Sequence, residues 1–204
     1  MQITSGIRSV LSNPTVYTAF QNLMGARAGW SRLVHDYMKV SPGDVILDLG
    51  CGPADILDYL PAVAYWGFDI SPEYIAMASR KYGNRGHFHC KLFDENDLEE
   101  LPECDVVVLS GVLHHLDDDD ANFLLTLASR ALKKGGRLVT VDPCLIPKQH
   151  PVARYLINKD RGQNVRNEAG YKSLVENGLF SNVEISVVNK AWIPYTHCYM
   201  VCTH

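Results

Sequence analysis

Val45-Ile46-Leu47-Asp48-Leu49-Gly50-Cys51-Gly52-Pro53 is the stretch whose reading decides the fold. A short apolar, β-branched run entered through Ser41-Pro42-Gly43 and left through two glycines reads as a buried strand ending in a tight turn. Outward from it, residues 65–70 (YWGFDI) form a second strand that stops at Ser71-Pro72. Proline there suits the first turn of a helix running through EYIAMASRKY. Residues 87–93 (HFHCKLF) are a third strand, and 106–109, inside CDVVVLSG, a fourth and the most apolar. A helix over 121–132 follows, closed by the positive charge and glycines of KKGG, and 137–141 (RLVTV) is the fifth strand. Runs that are apolar throughout and separated by helices describe parallel strands buried on both faces of a sheet. The ending differs: YKSLVENGLF reads as a helix, and VEISVVN and THCYMVCT as two strands joined by a turn around 191–194. Strands so close in sequence pair antiparallel, which places a hairpin at the sheet edge. The expected architecture is a doubly wound α/β sheet with helices on both faces, parallel strands and a terminal antiparallel hairpin.

The 204 residues, 47% hydrophobic and 21% charged with a net charge of −4, suit one globular domain over 1–204 and exclude disorder as the main state. No apolar run reaches the roughly 18 residues of a membrane span, and the opening MQITSGIRSVLSNP is unlike a signal peptide. Six cysteines in such a chain read as reduced thiols, so a cytoplasmic location without membrane contact is expected. The acidic balance offers no global invitation to nucleic acid. Two segments fall outside the alternating pattern. Residues 1–40 form a helical leader, with helical spacing at Phe20, Met24, Leu33 and Tyr37, and 143–167 are a long excursion after the fifth strand. Connections of that length are usually functional, so both are candidate covers for a site, the excursion on the substrate side.

The chemistry concentrates at the ends of the first two strands. Gly50 and Gly52 let the backbone approach a ligand and leave helix amides aimed at it. Asp69, about 20 positions after the glycine turn, suits the hydroxyls of a ribose. An adenine-nucleoside cofactor follows, and the spacing disfavours NAD: the G-x-G-x-x-G fingerprint needs glycine at position 55, where this chain has Asp55.

Here the sequence resembles the class I S-adenosylmethionine-dependent methyltransferases, a Rossmann-like family. VILDLGCGPADIL is similar to their first motif, GFDISPEYIAMA to the second, Phe93-Asp94 to the segment after strand three, and CDVVVLSGVLHHL to the fourth. LKKGGRLVTVDP resembles the segment around strand five, so the likeness covers about residues 44–143 in order and spacing. It implies S-adenosyl-L-methionine as cofactor and methyl transfer as the reaction. Asp48, Gly50 and Gly52 would line the methionine end. Asp69 would hold the ribose, Ile70 would pack on adenine, and Asp94 would accept from the adenine amino group, with the backbone of Glu95 against the ring. Ser110 and Gly111 would face the methionine moiety. FDEND departs from the G-D-A type turn the family often has, which leaves Asp97 as an alternative to Asp94. Tyr17, Gln21 and Arg27 in the leader read either as helix surface or as groups meeting the cofactor carboxylate.

Transfer from a sulfonium asks mainly for alignment, with a base only where the acceptor arrives protonated. His115 and Asp142 are the candidate catalytic groups; the competing reading of His114 and His115 is a buried histidine beside a helix start. The run 117–120 of four aspartates reads as a solvated helix cap, and no metal is expected. His197, Cys198, Cys202 and His204 invite zinc, but on a strand 197 lies opposite 198 and 202, so core thiols are the better account. Residues 145–172 carry six Lys or Arg against Asp160 and Glu168, a local +4 on a chain of −4. That is either a solvated basic loop or a cover suited to a small anionic acceptor, gripped by Arg161 and Arg166 with His150 nearby. Two alternatives stay open: methylation of RNA or protein, and a non-catalytic cofactor-binding protein of the same fold.

Overall fold

The computed structural model describes residues 26–158, 162–176, 178–189 and 195–204. Seven strands make one sheet in the order β3-β2-β1-β4-β5-β7-β6: β1 Val45–Leu49, β2 Ala64–Asp69, β3 His87–Cys90, β4 Cys104–Ser110, β5 Leu132–Pro143, β6 Asn182–Asn189 and β7 Thr196–Thr203. Strands β1 to β5 pair parallel, and β7 runs antiparallel to both β5 and β6. The strand order reverses at β1, flanked by β2 and β4, and in open α/β sheets ligands bind at the carboxyl ends of the strands beside such a reversal.

Alternation along the strands builds the two faces. Leu47 and Leu49 of β1, Val107 and Leu109 of β4 and Met200 of β7 meet one helix layer. That layer holds α3 (Glu95–Glu100), α4 (Asp118–Ala131) and α6 (Glu168–Val175). Ile46, Val106, Val108 and Val139 point the other way, against α2 (Pro72–Tyr82), the short turn Asp55–Asp58 and the leader. In the leader, α1 (Ala26–Arg32) runs into a π-helical turn, Leu33–Met38, whose Leu33, Val34 and Met38 are buried on the sheet. Tyr37 stacks on Tyr199 with ring centroids 4.3 Å apart. Among the described residues, no helix is long and apolar enough to cross a membrane.

Several local expectations shift. The helix α4 starts three residues early because Asp117 caps it, accepting from Asp120 N at 3.0 Å. It ends at Ala131, and Lys133 to Gly136 belong to β5 rather than closing the helix. Lys133 there pairs with Asp105, which in turn accepts from Val45 N, and a register shift between Cys104 and Val106 absorbs the extra residues. Strand β3 stops at Cys90, three residues short of the expected end, because Asp94 starts the helix α3. The excursion after β5 carries a helix, α5 (Pro151–Asn158). Cys198 and Cys202 are buried on one face of β7, as core thiols.

Candidate functional site

The turn after β1 is pinned to β2: Gly50 N and Cys51 N both donate to Phe68 O, at 2.8 and 3.0 Å. Gly50 and Gly52 lie at φ +78° and +54°, where side chains are strained. A Cβ on Gly50 would also stand 2.5 Å from Val112 Cγ2, so the loop passes close under the segment that follows β4. Asp69 then joins two elements with one carboxylate, accepting from Gly52 N at 2.9 Å and Ser71 N at 2.8 Å. Ser71 caps α2, and Pro72 occupies its first turn as the sequence predicts.

Asp48 is 3% exposed beneath this loop. Its Oδ2 accepts a 2.6 Å hydrogen bond from the Tyr65 hydroxyl, while Oδ1 is buried with no hydrogen-bond partner. Burial pushes the carboxyl up to about 7, the Tyr65 bond lowers it, and the Asp69 charge adds to the rise. The Cys51 thiol is likewise pushed up by burial.

On the β3 side, Asp94 closes a reciprocal capping box. Its Oδ1 accepts from Asn96 N and Asp97 N, and Asp97 Oδ2 accepts from Asp94 N at 2.9 Å. Lys91 bridges both carboxylates, and the side chain of Asp97 is the buried one. Glu95 opens α3 with its carboxylate turned to Arg130. Ile70 and Leu92 stand out as exposed apolar side chains, Ile70 at 61%. Ser110 is half-buried at the end of β4, and Gly111, at φ +71°, donates to Val141 O.

The ends of β4 and β5 meet through a histidine that the sequence reading passed over in favour of its neighbour. The turn Leu113–His115 places His114 Nδ1 2.7 Å from Asp142 Oδ1, and the same oxygen accepts from His114 N at 3.1 Å. Both residues are buried, and the Asp142 carboxyl is raised by its burial against the lowering pull of His114. His115 is half-buried, its ring 4.1 Å from that of His114.

The excursion lies over this pair. Asn164 N donates to His114 O, and a Cβ on Gly162 would collide with the His114 ring and carbonyl, so only glycine fits there. Arg166 fastens the segment. Its Nη1 donates to Leu113 O and Asn164 O, its Nη2 to Leu116 O and Asp118 Oδ1, and its Nε to Asp118 Oδ1. All five guanidinium N–H groups are thereby occupied, and Arg166, expected to grip an anion, here clamps two loops together. His150 is exposed, its Nδ1 accepting from Val152 N at the start of α5. Tyr17, Gln21 and Arg161, and the side chain of Arg27, lie outside the described residues.

The structure thus fastens Asp48, Gly50 and Gly52 to β2, through Tyr65, Phe68 and Asp69 in turn, and sets His114 between Asp142 and His115. Tyr65 and Gly162 escaped the sequence reading. Tyr65 was legible in principle, since a parallel register that sets Asp48 beside Gly67 brings the residue two before it within reach.

Comparison with known proteins bears on the fold. Residues 47–138 match the family model described as a methyltransferase domain. Desmethylxanthohumol 6'-O-methyltransferase of Humulus lupulus is 26% identical over 156 residues, 70% of this chain and 42% of that protein. Human N-acetylserotonin methyltransferase, solved in complex with S-adenosylmethionine, superposes with a TM-score of 0.66 at 20% identity, covering 96% of this chain and 58% of that one. Phosphoethanolamine N-methyltransferase 2 of Haemonchus contortus, with S-adenosyl-L-methionine bound, gives a TM-score of 0.74 at 13% identity, over 98% and 60%. Residues 47–138 thus match a methyltransferase domain, and the chain as a whole has the fold of these solved methyltransferases. It spans less than half the length of the curated relatives it matches, 35%, 24% and 42% of them.

Proposed function

We propose that the protein transfers a methyl group from S-adenosyl-L-methionine to a small acceptor by direct displacement. The observation that carries this reading is the unit at the ends of β1 and β2. A glycine loop in left-handed conformation lies over a buried carboxylate with one unpartnered oxygen, beside a second carboxylate fixed by two backbone amides. Those residues fit the cofactor's three parts. Asp48, Gly50 and Gly52 line its methionine end, with Ser110 and Gly111 across the crevice. Asp69 keeps unshared lone pairs for the ribose hydroxyls, because each oxygen already accepts only one amide. Ile70 offers adenine an apolar face, and Asp94 and the backbone of Glu95 close the far side.

The bound cofactor supplies an electrophilic methyl on a sulfonium. The protein's part is alignment and the handling of one proton. Asp142 orients His114, and the adjacent rings of His114 and His115 would take up the proton of a hydroxyl acceptor. Residues 143–167 cover the acceptor. The local +4 over 145–172 favours an anionic one, met by Arg161 and His150 because Arg166 is occupied.

Calorimetric titration with S-adenosylhomocysteine, with NAD in parallel, tests the assignment. Micromolar binding of the first and none of the second is expected. Binding of NAD alone would overturn it. Once an acceptor is known, Arg161→Ala is expected to raise its KM, and an unchanged KM removes the anionic reading.

A further inference from the structure

Tyr65 occupies a slot built for it. It is fully buried in β2, and a Cβ on Gly67 would stand 2.9 Å from its Cε1, while one on Gly86 would stand 2.8 Å from its Cδ1. Two glycines therefore wall the ring, and its hydroxyl has a single outlet, the 2.6 Å bond to Asp48. Nothing in the core requires a phenol at this place; a phenylalanine fills the same slot. Asp48 thus holds one fixed donor on Oδ2 and presents a buried Oδ1 that no residue satisfies. A carboxylate so placed is costly while charged and unpaired, and it is relieved either by a proton or by a cation.

We propose that Tyr65 is a positioning residue which holds Asp48 ready for the ammonium of the ligand's amino-acid end, and that ligand entry exchanges a proton on Asp48 for that ammonium. This deepens the reading above and rests on it. The groups facing Asp48 are Tyr65 and Asp69 of β2 and the Cys51 thiol of the glycine loop, with Tyr82 of α2 acting on Tyr65 from behind. None of them supplies a positive charge. Asp69 and burial both favour the protonated form in the empty site, and the Tyr65 hydroxyl favours the ionised one. The proton lost on binding goes to the buffer.

The test is calorimetry of the whole chain with S-adenosylhomocysteine at about pH 7, in two buffers of different ionisation enthalpy, with adenosine as the ligand lacking the ammonium. The expected result is a buffer-dependent heat, reporting proton release, for S-adenosylhomocysteine and none for adenosine. Asp48→Asn abolishes the release. Tyr65→Phe keeps the ring and removes the donor, so the Asp48 carboxyl rises further. If it rises by one unit from about 7, the ionised fraction at pH 7 falls from about a half to about a tenth. Kd then increases about five-fold at pH 7 and recovers toward the wild-type value at higher pH. A merely structural tyrosine would weaken binding equally at every pH. Wild-type binding with no buffer dependence overturns the proposal even if Tyr65→Phe does not fold, and so does a Tyr65→Phe profile parallel to wild type. If S-adenosylhomocysteine does not bind at all, it is the cofactor assignment that fails.

Discussion

Gly50 concentrates the demands of the site in one residue. Its φ of +78° disfavours any side chain, and the methyl of an alanine would meet Val112 Cγ2 at 2.5 Å. Left-handed strain costs about 1–2 kcal/mol and overpacking about 1–3 kcal/mol, so Gly50→Ala is expected to lower the unfolding midpoint clearly and to abolish S-adenosylhomocysteine binding. Thermal unfolding and titration of the same preparation check both. Gly52 shows the contrast: its φ is +54°, but no atom lies within 4 Å of an added Cβ, so Gly52→Ala bears only the backbone cost. Sequence could not separate the two glycines, because the neighbour that distinguishes them, Val112, is some sixty positions away and arrives only through the pairing of β1 with β4. The same limit applies to the histidine pair. His114 and His115 are adjacent and chemically identical, and the choice between them depends on a single turn that aims the first at Asp142.

At the level of elements, the clamp at Arg166 joins the excursion to the turn after β4. Arg166→Ala leaves the carbonyls of Leu113, Leu116 and Asn164 without their charged donor. Hydrogen bonds to charged groups contribute about 1.5–3 kcal/mol each, though partial exposure of Asp118 discounts its share, so a loss of about 2–4 kcal/mol is expected. Limited proteolysis should cut within 143–167 faster than in the parent protein, and Arg166→Lys should not restore resistance, because an ammonium cannot reach four acceptors in one plane. The basic character of this excursion was plain in the sequence, but its use was not: a charge count does not distinguish a side chain pointing outward from one turned in on carbonyl oxygens. The strands were legible for the opposite reason. Apolar runs bounded by glycine, proline and aspartate carry their own signal, and β1, β2 and the β6–β7 pair appear within a residue or two of their expected positions. The expected end of α4 failed because β5 begins early, through pairing of Leu132 with Cys104, a tertiary contact with no local signature.

For the molecule as a whole, buried acids set an unusual pH profile. The Asp48 carboxyl lies at about 7 in the folded protein against 3.8 in its ordinary state, so the native state holds the proton more tightly. Its contribution to stability is complete below about pH 4 and is lost as pH rises through 7, a change with a ceiling on the order of 4 kcal/mol. Asp142 shifts in the same direction. His89, lowered by burial among aromatic rings, works oppositely as pH falls through 6.5. A difference measurement separates them. Without ligand, the unfolding midpoint of Asp48→Asn should gain on that of wild type as pH rises from about 5 to 8, and scanning calorimetry across that range checks it. The fold itself stood clear in the sequence because apolar strand runs, glycine turns and a proline at the first turn of α2 all point one way.

The placement of β7 bears on how the chain assembles. Among the described strands it comes last in sequence, yet it lies inside the sheet, between β5 and β6. Until residues 196–203 arrive, β5 presents an unpaired rim whose Leu138 and Val139 belong to the buried core. The five parallel strands can collapse first during synthesis, but the sheet closes only when the latest strand slots in backwards beside β5. A chain interrupted before that moment carries an exposed sticky edge, which makes the interval between β5 and β7 the stretch of its life most open to aggregation.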